Sequence, residues 1–183
     1  MPDEKEQVLV AHARGGDERA FRKIFDRHHA TVFRFAYRMT GAVDAAEDIT
    51  QECFLRLIAQ ARFKDAQGTL RQFLYGIARN LARQRWQALG REFSYDDEDG
   101  EGAANLPASL PDVDAAEISR VVQAALDGLP PLQREAIVLF EFEDLTLEEI
   151  AAVAGCDAGT VKSRLHRARE NLRRILAEYR TPA

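Results

Sequence analysis

Residues 145–174 read LTLEEIAAVAGCDAGTVKSRLHRARENLRR, and the fold turns on this stretch. Thr146, with Glu149 three positions on, forms a capping box, so a helix begins there. It runs Leu147 to Ala154 with Ile150, Ala151 and Ala154 facing inward. It halts at Gly155 and restarts at Asp157, whose carboxylate caps the next amides and suits the positive end of the helix dipole. In the helix from Ala158, the residues Val161, Leu165, Ala168 and Leu172 share one apolar arc. Thr160, Ser163 and Arg167 then fall roughly opposite, flanked by Lys162, Arg164 and His166. Helix, tight glycine turn, helix is an arrangement that carries its second helix into a DNA major groove. The first two turns of such a helix meet the bases, which makes Thr160, Ser163, Arg164 and Arg167 candidates for base edges. Lys162, Arg169, Arg173 and Arg174 suit phosphates.

Charge, followed outward from this stretch, changes sign by segment. The chain has 183 residues and a net charge of −5, with 46% hydrophobic residues, which excludes disorder throughout. Residues 160–180 carry +5, residues 119–159 carry −6, residues 92–118 carry −9 with no basic residue, and residues 18–91 carry +7. Two basic surfaces therefore flank an acidic middle. That middle, REFSYDDEDGEGAANLPASLPDVDAAE, also collects Gly100, Gly102, Pro107 and Pro111 and lacks apolar periodicity, so it is expected to be a flexible linker. It serves either as a solvated tether or as a negative strand that fills a basic channel in a partner, as nucleic acid would. Two lobes of well under a hundred residues each have modest cores and often lean on a partner.

The first lobe shows 3.6-residue periodicity and no alternating β pattern, so the whole chain is expected to be all-α. Phe21, Ile24, Phe25, Val32 and Phe35 form one stripe, in which a break near His28 and His29 is allowed. Ile49, Cys53 and Leu57, beside Phe54 and Ile58, form a second. Leu70, Phe73, Leu74, Ile77 and Leu81 form the clearest, within about 100° of arc. On the opposite side of that third helix lie Arg79, Asn80, Arg83 and Trp86, and the run from Arg79 to Arg91 holds four arginines and no acid. Guanidinium grips phosphate, an amide reads adenine and an exposed ring stacks on an unpaired base, so this ridge is a candidate nucleic-acid surface. The loop Phe63–Thr69 precedes it, with Gly68 as breaker and Thr69 as cap; beside a basic helix such a loop can receive a flipped base. On the second helix Asp48, Gln51, Glu52 and Arg56 share one outward side.

Cys53 and Cys156 lack CxxC spacing and histidine neighbours, so neither a disulfide framework nor a zinc knuckle is encoded, and both are expected to be small buried hydrophobes. The segment Met1 to Gln7 is acidic and polar, and no eighteen apolar residues run together, so no membrane partner is expected and the protein is expected in the cytoplasm.

Taken together, these residues resemble a bacterial RNA polymerase sigma factor of the extracytoplasmic-function (ECF) subfamily, over roughly Glu18 to Tyr179. Asp48-Ile49-Thr50-Gln51-Glu52 with Phe54-Leu55 is similar to the segment that docks on the beta-prime coiled coil of core RNA polymerase. FLYGIARNLARQR, Phe73 to Arg85, resembles the promoter-melting, minus-ten-reading helix, although Phe73 stands where a tryptophan is common and Gln84 where an acid is frequent. GTVKSRLHRARENLR, Gly159 to Arg173, resembles the minus-thirty-five-reading helix. The resemblance implies two small helical domains joined by an acidic flexible linker: region 2 over 1–91, the linker over 92–117 and region 4 over 118–183. It further implies core contact through Asp48, Gln51 and Glu52, minus-ten contact through Arg79, Asn80 and Arg83 with Trp86 on the same ridge, and minus-thirty-five contact through Thr160, Ser163, Arg164 and Arg167. Promoter DNA, core polymerase and an anti-sigma factor are the implied partners.

Two other classes compete. A stand-alone helix-turn-helix regulator accounts for Gly159 to Arg174 but not for the other two blocks. An all-helical enzyme would use His28-His29 with Asp26 and Glu52 as a metal site, yet adjacent histidines point about 100° apart on a helix and no HExxH accompanies them. No Gly-rich phosphate loop, GxSxG or paired nucleophile and base is present, so neither enzyme activity nor a cofactor is expected.

Overall fold

The computed structural model describes residues 5–60, 63, 68–90 and 115–177. Among them stand eight helices and no strand: α1 (Glu6–Arg14), α2 (Glu18–Thr40), α3 (Val43–Gln60), α4 (Leu70–Ala88), α5 (Ala115–Asp127), α6 (Pro131–Glu141), α7 (Leu147–Ala154) and α8 (Ala158–Ala177). The chain divides into two compact units, one of Met1–Tyr37 with Ala42–Arg85, the other of Arg38–Gly41 with Trp86–Ala183.

In the first unit the expected stripes of α2 and α3 supply the core. Ile24, Val32 and Phe35 are buried, as are Ile49, Cys53, Phe54 and Leu57. Phe35 meets Tyr75 of α4 with ring centroids 4.9 Å apart, and Phe25 meets Phe54 at 5.0 Å. The Cys53 thiol donates to the Leu74 carbonyl at 3.4 Å, and burial pushes its pKa up to about 12, so it stays a neutral thiol at neutral pH. Cys156, by contrast, is half-exposed rather than buried as expected. Helix α2 runs through His28 and His29 without a break. His28 is buried and its Nε2 bonds Glu6 Oε1 of α1 at 2.7 Å, while the His29 ring lies 4.4 Å from that of Phe25. Both rings thus find partners without leaving the helix. Helix α1 was not foreseen; it packs on α3 and buries Leu9, Val10 and Ala13.

Helix α4 begins as its sequence implies. Thr69 Oγ1 accepts from the Gln72 amide at 3.2 Å while Gln72 Oε1 accepts from the Thr69 amide at 3.0 Å, a reciprocal cap after Gly68 at φ +120°. Residues 64–67 of the preceding loop lie outside the described residues. The buried face of α4 is rotated from the expected one: Leu70, Leu74, Tyr75, Ala78 and Ala82 are buried, whereas Phe73, Ile77 and Leu81 are half-exposed. Small Ala78 and Ala82 let neighbours approach closely, and close packing outweighs side-chain hydrophobicity in choosing the inward side.

The second unit packs α5, α6 and α7 against α8. Pro131 opens α6 at a position where its missing N–H costs nothing. The capping box of α7 is present, with Thr146 Oγ1 accepting from the Glu149 amide and Glu149 Oε2 from the Thr146 amide. Gly155 ends α7 in the left-handed region at φ 66°, which a residue with a Cβ adopts only with strain. Val161, Leu165 and Ala168 are buried, joined by Ile175, with Leu172 half-buried. Each fully buried Leu or Val contributes about 1.5–3 kcal/mol. The 92–117 linker expectation needs correction at its end: Ala115, Ala116 and Glu117 already belong to α5, where Arg120 bonds Glu117 one turn on, and residues 92–114 lie outside the described residues. Arg134, 1% exposed, donates to Asp127 Oδ1 at 3.0 Å, to the Asp127 carbonyl at 2.6 Å and to the Met39 carbonyl at 2.8 Å, all within this unit.

Candidate nucleic-acid and polymerase-binding surfaces

The turn Gly155-Cys156-Asp157 delivers α8 with its apolar arc against α6 and α7, which leaves the opposite side to solvent. Lys162 and Ser163 are exposed, and Thr160, Arg164 and Arg167 are half-buried at the edge of that side. Asp157 Oδ1 accepts from the Thr160 amide at 2.8 Å, and its Oδ2 accepts from the Thr160 hydroxyl at 2.8 Å. The hydroxyl bond first, and the amide bond after it, hold the Asp157 carboxyl below the usual carboxylate range. Arg164 Nη1 lies 3.6 Å from Cys156 Sγ, so its guanidinium leans back over the turn. Lower on the helix, Arg169 bonds Glu141 at 2.9 Å and covers the Phe140 ring, and Arg174 donates to Asn171 at 2.7 Å. Of the cations expected to suit phosphate, Lys162 and Arg173 are exposed, whereas Arg169 and Arg174 already hold partners.

The ridge on α4 differs from its expectation. Asn80 is exposed and Arg83 half-buried, as a contact surface needs. Arg79 is only 6% exposed and its Nη1 donates to Asn80 Oδ1 at 3.1 Å. Trp86 is 2% exposed, and the Arg134 guanidinium lies 5.6 Å from its ring centre within the same unit. Neither Arg79 nor Trp86 is the exposed group that the helical wheel implied. The rotation of α4 that buries Ala78 and Ala82 carries both inward, and an indole of this size is gained by the core.

On α3, Asp48 and Gln51 are exposed and Glu52 is half-buried. Arg56 Nε bonds Glu52 Oε1 at 2.7 Å, and Arg85 Nη1 approaches Asp48 Oδ2 at 3.5 Å. Leu55 stands beside them 58% exposed, and Val43 at the helix start is 52% exposed. Leu55, exposed beside Gln51 and Glu52, gives this acidic face an apolar side chain that a partner protein can cover. Sequence reasoning passed over a further feature, an apolar groove of about 630 Å³ lined by Val122, Leu126, Ile137, Phe142, Leu172 and Leu176. The spacing of Leu172 and Leu176, one turn apart beyond the recognition turns, was its visible signal.

The model for Sigma-70 region 2 matches residues 24–92, and that for Sigma-70 region 4 matches residues 119–172. These regions define the class. Among curated proteins the chain is 33% identical over 179 residues to the ECF RNA polymerase sigma factor SigW of Bacillus subtilis, covering 92% of this chain and 95% of that one. It is 37% identical over 166 residues to ECF sigma factor SigE of Mycolicibacterium smegmatis, covering 84% of this chain and 60% of that protein. Among solved structures, sigma factor RpoE of Bartonella quintana, in complex with the anti-sigma factor NepR, matches with a TM-score of 0.64 at 29% identity, covering 86% of this chain and 96% of that one. CnrH, solved with the cytosolic domain of CnrY, shares the fold at a TM-score of 0.68 and 24% identity over 95% and 98% of the two chains. The chain belongs to the ECF RNA polymerase sigma factor family. It is a sigma factor and acts in transcription initiation; the relatives it matches are sigma factors rather than enzymes. No described helix is long and apolar enough to cross a membrane.

Proposed function

We propose that region 2 work falls to residues 1–91 and region 4 work to residues 115–183, with 92–114 joining them, and that the exposed groups divide the task by chemistry. Asp48, Gln51 and Glu52, with Leu55 beside them, meet the beta-prime coiled coil of core polymerase. Asn80 and Arg83 contact minus-ten DNA. Arg79 supports Asn80 from beneath, and Trp86 serves the core. Thr160, Ser163, Arg164 and Arg167 meet minus-thirty-five bases, with Lys162 on phosphate. The observation that carries this reading is α8: its apolar arc is buried while its cations and hydroxyls line the open side.

No covalent chemistry is required. Base pairs open when a non-template base is held outside the stack, and contacts to that base offset an unstacking cost of a few kcal/mol, to order of magnitude. With a net charge of −5, the free chain binds DNA weakly, and core polymerase supplies the remaining contacts. The protein works in the cytoplasm, and an anti-sigma factor restrains it, a reading supported by the NepR complex of the B. quintana relative.

The purified chain is expected to co-elute with bacterial core RNA polymerase and to start transcription from a promoter library. Arg167→Ala should lower initiation about 10- to 100-fold on promoters carrying its preferred minus-thirty-five base and much less on the others. A uniform loss would assign Arg167 to phosphate, and tight promoter binding by the chain alone at physiological salt would refute the division of labour.

A further inference from the structure

Thr160 carries one hydroxyl proton and two lone pairs on Oγ1, and which of these faces DNA decides what it can read. An ionised carboxylate only accepts, so the 2.8 Å contact to Asp157 Oδ2 consumes the proton of Thr160. The other carboxylate oxygen is tied to the Thr160 amide at 2.8 Å, so the carboxylate cannot rotate away without uncapping α8. A third residue keeps this arrangement open. A Cβ at Gly159 would stand 2.9 Å from Asp157 Oδ1, so a side chain there would displace the carboxylate. Glycine is a poorer helix former than alanine, so its presence runs against helix propensity and in favour of the carboxylate.

We propose that Asp157, given room by Gly159, fixes the polarity of Thr160, so that Oγ1 presents only lone pairs to the major groove and selects an adenine or cytosine at one minus-thirty-five position. In that groove adenine N6 and cytosine N4 are the donors, whereas guanine O6 and N7 and thymine O4 are acceptors that a lone pair repels. Asp157 is thus a positioning residue acting through Thr160. The inference rests on α8 being the minus-thirty-five helix.

The test is run-off transcription by the full chain with bacterial core RNA polymerase on promoters randomised through the minus-thirty-five segment, with thermal unfolding to confirm that each variant folds. Wild type should favour adenine or cytosine over guanine or thymine at one position by about 5- to 10-fold, the worth of one hydrogen bond made or left unmade. In Asp157→Asn the amide oxygen still caps Thr160, but the amide N–H₂ now donates to Oγ1 and frees the hydroxyl proton, so the preference at that position should vanish or invert to guanine or thymine. Thr160→Val, which keeps the shape and removes the hydroxyl, should abolish the preference. Gly159→Ala, by displacing the capping carboxylate, should weaken the preference. Unchanged selectivity in Asp157→Asn overturns the proposal, and so does unchanged selectivity in Thr160→Val, which would make Asp157 itself the reader. If wild type gives no transcript from any member of the library, the proposed function falls and takes this inference with it; loss of selectivity effects alone leaves that function standing.

Discussion

Helices α4 and α8 look alike on paper, each an amphipathic helix of about twenty residues studded with arginine, yet they treat those arginines differently. In α8 the apolar arc is narrow and built of Val161, Leu165 and Ala168, so the cations stay at or outside its edge. In α4 the inward face runs from Leu70, Leu74 and Tyr75 to the small Ala78 and Ala82, and Arg79 and Trp86 are drawn into the interior while Asn80 remains outside. Composition alone therefore cannot say whether an arginine grips a ligand or a neighbour. The width of the apolar arc, and the size of what the helix packs on, decide it.

The comparison breaks first at Trp86. Trp86→Ala should cost about 3–5 kcal/mol in denaturant unfolding, as removal of a buried indole does. A loss confined to promoter opening, with unfolding unchanged, would restore Trp86 to the DNA surface. A sharper contrast lies between two arginines one turn apart. Arg79→Ala should destabilise by about 1–3 kcal/mol, because it removes the packing of a long side chain that is 6% exposed, while Arg83→Ala should stay within about 0.5 kcal/mol. The activity of Arg83→Ala should instead fall, with a salt dependence of polymerase-bound promoter affinity shallower by about one phosphate contact. Equal unfolding midpoints for the two variants would erase the distinction between the faces of α4. The smallest effect is at the start of α8. The folded pKa of Asp157 is lowered, so its contribution to stability is present above the ordinary carboxylate pKa and is lost as pH falls through the lower folded value. The unfolding midpoint of wild type should therefore drop more on acidification than that of Asp157→Asn, and parallel pH curves would show that Asp157 does not cap α8.

Local chemistry was the legible part. The Thr146–Glu149 box, the Thr69 cap, the Gly155 stop and the Asp157 cap each follow from a short run of residues whose hydrogen bonds close within one turn. The acidic outward face of α3 was legible for the same reason, since helical spacing alone places Asp48 and Gln51 together. Helix α5 escaped notice because the acids and prolines before it resemble a tether up to Glu117, although Val121, Ala125 and Leu126 hold helical spacing after it. Helix α1 escaped because its nine residues bury only Leu9, Val10 and Ala13, too short a signal without its partner helix.

From its residues in order, this chain declares an all-helical fold, two basic faces parted by an acidic stretch, and the turn that aims α8, because caps, turns and periodicity are properties of neighbours along the backbone. Which side of α4 faces inward, and where Arg79 and Trp86 end up, were settled only by packing. Those outcomes depend on volumes and partners brought together from distant positions, and a helical wheel carries no information about what stands opposite it.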